Sequence, residues 1–205
     1  MIQRRQFLGT AALGGLAASL PLSAWAADTS GLPNLAVNAV PIGAVERMAR
    51  IAKATQLLRA NDMDALLIEP GSSLVYFTGV QWWRSERLTA AVLTREGELA
   101  VVTPFFEEPS VRESLTVEAE VLTWNEDDNP LVSVATWLKK RGLTKGKIGV
   151  EETVRYFAVD GLEQAMPGAS VVNGAPVVRG CRMYKSPAEI ALMQRASDAT
   201  IEAYR

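Results

Sequence analysis

Few residues in this 205-residue chain are suited to catalysis, because the sequence contains no histidine. Imidazole is the usual proton carrier in nucleophilic triads and a usual ligand of zinc and iron. Cys181 is the only cysteine, which excludes an intrachain disulfide and a Cys-x-x-Cys motif. Without a histidine partner, this cysteine is predicted to be a small buried side chain rather than a nucleophile. We therefore assign no catalytic residue to the chain.

Three runs of acidic residues could in principle hold a hard cation through carboxylate oxygens. They are Glu107-Glu108, Glu126-Asp127-Asp128 and Glu151-Glu152. Neighbouring side chains point to opposite faces of a strand, and on a helix they diverge by about 100°. The runs therefore do not converge on one ion without other residues, and solvent-exposed charge is favoured. We predict no metal site in this chain.

An aromatic segment with arginines is the best candidate for binding. In "YFTGVQWWRSERLTAAV", Trp82 and Trp83 precede Arg84, and Arg87 follows three residues later. Two adjacent tryptophans cannot both enter one core from a regular strand, so at least one is expected to be exposed or to line a cleft. Rings beside arginines are typical of a pocket wall or a protein interface. A core aromatic cluster with arginines at its solvent edge is an equal alternative at this point.

The elements that must position this segment alternate between strands and helices. Strands are predicted at "DALLIEP", "AEVLTWN", "KIGVE" and "ASVVNG", and a hairpin is predicted around Glu96-Gly97. Helices are predicted at "NPLVSVATWLKKRG", from Phe105 to Leu115 and from Tyr156 to Met166. This order indicates an α/β fold in which helices flank a mixed β-sheet.

The first helix of the domain is predicted in "GAVERMARIAKATQLLRAND", ending at Asn61-Asp62. Its periodicity predicts one apolar face, formed by Val45, Met48, Ile51, Ala52, Thr55 and Leu58. Towards the other end of the chain, "PVVRGCRMY" is predicted to link this domain to a last helix.

That last helix is strongly specified at its start. In "KSPAEIALMQRASDATIEAYR", Ser186 and Glu189 form a capping box and Pro187 suits the first helical position. Apolar residues recur along one side at Ile190, Met193, Ala196, Ile201 and Tyr204. An isolated helix of this length is marginal in water, so the stripe needs a surface to bury against. We expect the helix to begin a second domain that this chain lacks.

The first 26 residues, "MIQRRQFLGTAALGGLAASLPLSAWA", have the features of an export signal. The apolar run is shorter than the roughly 20 residues that span a bilayer, so no stable membrane anchor is predicted. Arg4-Arg5 before Phe7-Leu8 resembles the twin-arginine signal of bacteria. The mature protein is expected to be periplasmic or secreted, with residues 27–41 as an extended arm.

Charge and glycine patterns exclude two further classes of function. The formal net charge is −2, from 21 basic and 23 acidic residues. This balance lacks the basic patch that nucleic acids require, so no nucleic-acid partner is expected. Neither G-x-G-x-x-G nor G-x-x-x-x-G-K occurs after residue 26, so nucleotide binding has no support.

Three motifs together resemble one known family. They are "YFTG" followed by the arginine-bearing aromatic loop, "KIGVEE", and R-x-x-K-S-P-x-E-I, matched by Arg182, Lys185, Ser186, Pro187, Glu189 and Ile190. Over residues 43–205 the chain is similar to the amino-terminal domain of the creatinase/aminopeptidase P/prolidase family. The resemblance implies a ribonuclease H-like domain over residues 42–180. It also implies that residues 181–205 are a linker and the first helix of a truncated "pita-bread" catalytic domain.

The resemblance also implies the chemistry of a longer parent protein. Family members bind two divalent metals, often manganese, cobalt or zinc, through two Asp, one His and two Glu of the pita-bread domain. The metals activate water against the bond that precedes proline, so the implied substrate is a short peptide with proline second. None of these five ligands can be matched to this sequence, so the chain itself is expected to hold no cofactor.

For the amino-terminal domain, the resemblance implies homo-oligomerisation and a role in walling the substrate site. The matching positions are Trp82, Trp83, Arg84 and Arg87. With the resemblance, we favour a pocket wall over a core aromatic cluster for these residues. The favoured hypothesis is the amino-terminal portion of an exported Xaa-Pro aminopeptidase-like metallopeptidase. The alternative is a free-standing, non-catalytic module that binds a peptide or a partner protein.

Overall fold

The computed structural model describes residues 34–204. The strands are β1 Ala65–Ile68, β2 Ala90–Thr94, β3 Leu99–Pro104, β4 Glu120–Trp124, β5 Gly146–Val150 and β6 Ala169–Asn173. The helices are α1 Ala44–Ala60, α2 Ser72–Thr78, α3 Glu108–Ser114, α4 Pro130–Lys140, α5 Tyr156–Ala165, α6 Ala175–Arg182 and α7 Pro187–Ala203, with a 3₁₀ turn at Phe105–Glu107. The predicted signal at 1–26 and the start of the predicted arm lie outside the described residues.

The strands form one six-stranded sheet in the order β4-β3-β2-β1-β5-β6. β2 is antiparallel to both of its neighbours, and the other pairs are parallel. The β2–β3 hairpin turns at Gly97, whose φ of 96° favours glycine. The predicted mixed sheet and its hairpin are confirmed.

Both faces of the sheet are covered, which gives three layers. Alternate strand residues point to opposite faces, so Leu67 packs under α4 and α5 whereas Leu66 packs under α1, α2, α3 and α6. Every residue of β1, β2 and β3 is buried. Continuous apolar runs are typical of strands covered on both faces, and this explains the patterns "ALLI" and "AAVLT".

The apolar face predicted for α1 is wrong at its first turns. Val45 and Met48 are 84% and 63% exposed, whereas Arg47 and Arg50 are buried. Both guanidinium groups donate to backbone carbonyls towards the end of α2. Arg47 Nε donates to the Val75 carbonyl at 3.3 Å, and Arg50 Nη1 donates to the Tyr76 carbonyl at 3.0 Å. Arg50 also stacks on the Tyr76 ring at 3.9 Å. Burial of these arginines follows from the need of the α2 carboxyl end for donors, which periodicity cannot reveal.

Two short helices depart from the sequence prediction. Residues 176–184 are not a simple link, because they lie mostly in α6, which packs against α1. The sequence analysis predicts no helix at α2. In the structure this helix buries Leu74 and Phe77 completely. Cys181 on α6 is 1% exposed, which confirms it as a buried side chain. Burial raises the pKa of its thiol to about 11.

The last predicted helix, α7, is confirmed together with its capping box. Ser186 Oγ accepts from the Glu189 amide at 3.2 Å, and Glu189 Oε2 accepts from the Ser186 amide at 2.9 Å. Glu189 also pairs with Arg50 at 3.3 Å, which ties the first turn to α1. No residue of α7 is buried. Over residues 34–204, no helix is long and apolar enough to span a bilayer.

Candidate functional site

Three loops meet at one edge of the sheet. β1 and β5 run parallel and end side by side, while β2 runs the opposite way and begins opposite the end of β1. The chain after Ile68, after Val150 and before Ala90 therefore reaches the same edge. Ligands in open α/β sheets bind at the carboxyl ends of the strands. A cleft of about 800 Å³ lies here, lined among others by Ser72, Trp82, Trp83, Arg84, Glu151 and Arg182.

Three of the four residues singled out in the sequence line this cleft. They are Trp82, Trp83 and Arg84. Trp83 is 91% exposed, which confirms that at least one of the adjacent tryptophans is not a core side chain. Arg87 does not line the cleft. It stacks on the Phe106 ring at 5.5 Å and pairs with the carboxylates of Glu86 and Glu126.

A network of hydrogen bonds fixes the floor of the cleft. Glu151 is only 9% exposed, and its carboxylate accepts from the hydroxyls of Ser73 and Thr153. Arg182 Nη1 donates to Ser73 Oγ at 2.6 Å, and Arg182 Nη2 donates to Ser72 Oγ at 2.8 Å. This network joins residues up to 110 positions apart, and sequence reasoning did not find it.

A buried ion pair ties the aromatic loop to the sheet. Glu69 is fully buried directly after β1, and Arg155 Nη2 and Nε donate to its Oε1 at 2.7 and 2.9 Å. Arg155 also donates to the carbonyl of Ser85, one residue after Arg84. Loss of one partner of such a pair is costly, because the other charge stays buried. The signal in the sequence was a carboxylate after a buried strand, since a buried carboxylate needs a cationic partner.

Arg84 is held by uncharged oxygens. Its Nε donates to the Pro70 carbonyl at 3.1 Å and its Nη2 to Thr153 Oγ1 at 2.7 Å. These bonds fix the plane of the guanidinium group and leave Nη1 without a donor contact to any described residue. The cleft is therefore lined by a positioned arginine, by Trp82 and Trp83, and by the Glu151 carboxylate, which already accepts two hydrogen bonds.

Neighbouring carboxylates of the acidic runs have different partners. Glu152 lines the same cleft as Glu151 and pairs with Arg179 on α6. Glu107 accepts from two buried threonines, Thr89 and Thr103, at 3.2 and 3.3 Å. Within the described part of the chain, no group of three or more His, Cys, Asp or Glu side chains could hold a metal ion.

Comparison with known proteins gives a consistent result over most of the chain. The family described as the Creatinase/Prolidase N-terminal domain matches residues 50–184. An uncharacterized peptidase of Schizosaccharomyces pombe is 30% identical over 188 residues, which are 85% of this chain and 40% of that protein. The probable dipeptidase PepE of Mycobacterium tuberculosis is 30% identical over 152 residues, which are 73% of this chain and 40% of that protein.

A solved structure agrees with this match. The crystal structure of a dipeptidase from Pyrococcus horikoshii OT3 superposes with a TM-score of 0.64 at 26% identity. The superposition covers 76% of this chain and 43% of the dipeptidase. The chain thus spans about 40% of the length of the curated relatives described above.

Proposed function

Because the chain belongs to the creatinase/prolidase N-terminal domain family, we propose that it is the amino-terminal part of an exported Xaa-Pro aminopeptidase-like metallopeptidase. The parent protein would cleave short peptides with proline in second position. The part described here would wall the substrate site and take part in homo-oligomerisation. The convergence of Trp82, Trp83 and Arg84 on one cleft at the ligand-binding edge of the sheet carries this proposal.

The hydrolytic centre belongs to protein beyond this chain. The family implies a pair of divalent metal ions, manganese, cobalt or zinc, which would activate water for attack on the peptide bond. The residues of this chain do not fit such a centre, because it has no histidine and residues 34–204 hold no metal-binding group. We therefore derive no catalytic step from this chain.

Two observations support a longer parent. The relatives described above are more than twice as long as the region they share with this chain. The apolar stripe of α7 is also left uncovered, with Ile190 and Met193 each 56% exposed. Side chains of this kind at helical spacing usually face other protein.

Export is part of the same proposal and is supported by residues 1–26 alone. The twin arginines and the Ala24-Trp25-Ala26 site predict processing after Ala26. The native protein should therefore begin at Ala27 and fractionate outside the cytoplasm. Recovery of an unprocessed cytoplasmic protein would contradict export and leave the peptidase proposal standing.

The gene offers the direct test of function. Coding sequence after codon 205 should supply Asp, Asp, His, Glu and Glu in that order, and the product should hydrolyse a Gly-Pro peptide with manganese. In that product, Trp83→Ala and Arg84→Ala should each lower kcat/KM about tenfold, with metal content unchanged. Arg112→Ala is the control, since Arg112 only pairs with Glu108 on the surface. Wild-type kinetics in both cleft variants would contradict the proposal that this cleft forms part of the substrate site.

The alternative remains a non-catalytic module that binds a peptide or a partner protein through the same loop. The observation that favours it is that residues of this chain alone, among them Trp82, Trp83 and Arg84, form a cleft. A stop codon directly after codon 205 in the natural gene would favour the module over the peptidase.

A further inference from the structure

The R-x-x-K-S-P-x-E motif lies at the junction between α6 and α7, and the residues that it specifies hold this junction together. α6 ends at Arg182, and only a short connection joins it to α7. The Arg182 guanidinium group donates to the hydroxyls of Ser72 and Ser73 on α2. Lys185 Nζ donates to the carbonyls of Arg182 and Met183, which satisfies acceptors at the carboxyl end of α6. The junction is therefore anchored on its α6 side.

One carboxylate anchors the other side of the junction. Glu189 Oε2 accepts from the Ser186 amide at 2.9 Å, which closes the capping box. Its other oxygen, Oε1, lies 3.3 Å from Arg50 Nη2 on α1. Pro187 restricts the backbone next to Ser186 to the φ angle of a first helical residue. The first turn of α7 therefore cannot rotate about the junction without breaking either its cap or its ion pair.

Arg50 is a rigid partner for this carboxylate. It is 6% exposed, its Nη1 donates to the Tyr76 carbonyl at 3.0 Å, and its guanidinium group stacks on the Tyr76 ring at 3.9 Å. Arg50 Nη2 is buried and forms no hydrogen bond, so the Glu189 carboxylate serves it as a counter-charge. Opposite charges attract more strongly in such a partly buried site than on the surface. Arg50 thus holds Glu189 in place through contacts that do not depend on α7.

Packing does not set the direction of α7. This helix buries no residue against the part of the chain that the structure describes. A cavity of about 210 Å³ lies between its first two turns and the arm, lined among others by Ile42, Ala188 and Leu192. The ion pair of Glu189 with Arg50 is therefore the contact that can fix where the helix points.

We infer that residues 182–189 form a rigid elbow and that the Arg50–Glu189 ion pair is the latch that sets the direction of α7. The cap specifies where the helix begins, and the latch specifies where it points. Arg50 and Glu189 are thus positioning residues for the protein that follows α7. Only that consequence rests on the proposed function, because the elbow and its latch lie within this chain.

The elbow also connects the direction of α7 to the cleft. Arg182 begins the elbow and lines the cleft, so both depend on the same anchor. In the longer parent that we propose, the next domain would keep a constant angle to the sheet and a constant position relative to the cleft.

The test measures the direction of α7 with two nitroxide labels. Glu163→Cys on α5 and Ser197→Cys on α7 place the labels at exposed positions, and Cys181 stays unlabelled because it is buried. Pulsed electron paramagnetic resonance of the purified chain gives the distribution of distances between the labels. Ser197 lies about 15 Å along α7 from its first residue, so a swing of about 30° would move its label by about 8 Å. We expect one narrow distribution while the latch is intact.

The substitution Glu189→Gln separates the latch from the cap. Glutamine keeps an oxygen that can accept from the Ser186 amide, but it removes the charge opposite Arg50. We expect the distance distribution to become at least about twofold wider while α7 stays helical, because the helix then swings as a rod. An unchanged width would overturn the inference. A wider distribution with loss of amide protection along α7 would overturn it as well, since Glu189 would then act only through the cap.

The matched control is Glu46→Gln. Glu46 is the second carboxylate at Arg50, at 3.4 Å, and its side chain is 29% exposed against 18% for Glu189. It lies one turn before Arg50 in the same helix, so it pairs with the same charge without joining α1 to α7. This variant should keep the narrow distribution. Equal broadening in both variants would assign the effect to the net charge around Arg50 rather than to the contact between helices, and the inference would fail.

These outcomes are independent of the gene test. A narrow distribution that widens only in Glu189→Gln keeps the elbow even if the parent proves inactive as a peptidase. A wide distribution in the chain with an intact latch would contradict the elbow and leave the proposed function standing.

Discussion

Helices α1 and α7 have the same length, 17 residues each, but they are ordered by different means. α1 has no side-chain cap at its amino end, yet it buries Ala54 and Leu58 completely. α7 has a complete capping box and buries no residue. The contrast shows that capping starts a helix, whereas burial against the sheet holds it in place.

The contacts of the two helices show where this difference comes from. α1 packs on α2 and α6, and its arginines supply donors to the carbonyls at the end of α2. α7 reaches the domain through Glu189, whose carboxylate serves both the capping box and Arg50. Glu189 therefore contributes both to the local cap of α7 and to the tertiary contact between α7 and α1.

The largest difference between the helices should appear on truncation of a core side chain. We expect Leu58→Ala in α1 to lower the free energy of unfolding by about 2–5 kcal/mol, because Leu58 is fully buried. The matched variant Met193→Ala in α7 should change it by less than about 0.5 kcal/mol. Urea denaturation of both variants measures the effect. Similar losses would mean that α7 packs on this domain after all.

A smaller effect is expected at the cap of α7. Ser186→Ala removes the acceptor of the Glu189 amide, and such a loss costs about 1 kcal/mol of helix stability. Because α7 buries nothing, this loss should appear as faster amide exchange in its first turn, with the domain midpoint unchanged. Ser197→Ala is the control, since Ser197 is exposed in the middle of the helix. A fall in the domain midpoint would show that the cap also supports the core.

The smallest effect is expected on the exposed stripe itself. Ile201 is 55% exposed, so Ile201→Glu should change the stability of this chain by less than about 0.5 kcal/mol. In the longer parent that we propose, the same substitution should be destabilising, because it would place a charge in a buried interface. Thermal unfolding of both proteins makes the comparison. An equal change in stability in this chain and in the longer parent would contradict the packing of α7 against a further domain.

Most of the fold followed from the sequence, because its strands and long helices have strong local patterns. β1 and β2 were recognisable as apolar runs, and the β2–β3 turn was marked by Glu96-Gly97. The helices that the sequence did not predict are short. α2 and α6 have 7 and 8 residues, which are too few for a clear period.

The site could be predicted only in part. Trp82, Trp83 and Arg84 stand together in the chain, and their composition left a pocket wall and a core cluster as equal alternatives until the family resemblance favoured the wall. Arg182 could not be predicted to join this site, because it meets Ser72 only after folding and the two residues are 110 positions apart. Arg87 has the same residue type and lies in the same loop as Arg84, yet its acidic partners hold it outside the cleft.

The sequence by itself determined which segments form the strands and the longer helices, where α7 begins, and that this chain lacks the histidine of a metal or triad site. These properties depend on residue types within a few positions of one another. The tertiary structure alone decided that Arg47 and Arg50 are buried, and that Glu69 meets Arg155. It also decided that Arg84 and Arg182 line one cleft, where the Thr153 and Ser73 hydroxyls connect them to Glu151. The physical reason is that strand order and burial bring distant charges together, and no local pattern encodes which charge will find a partner.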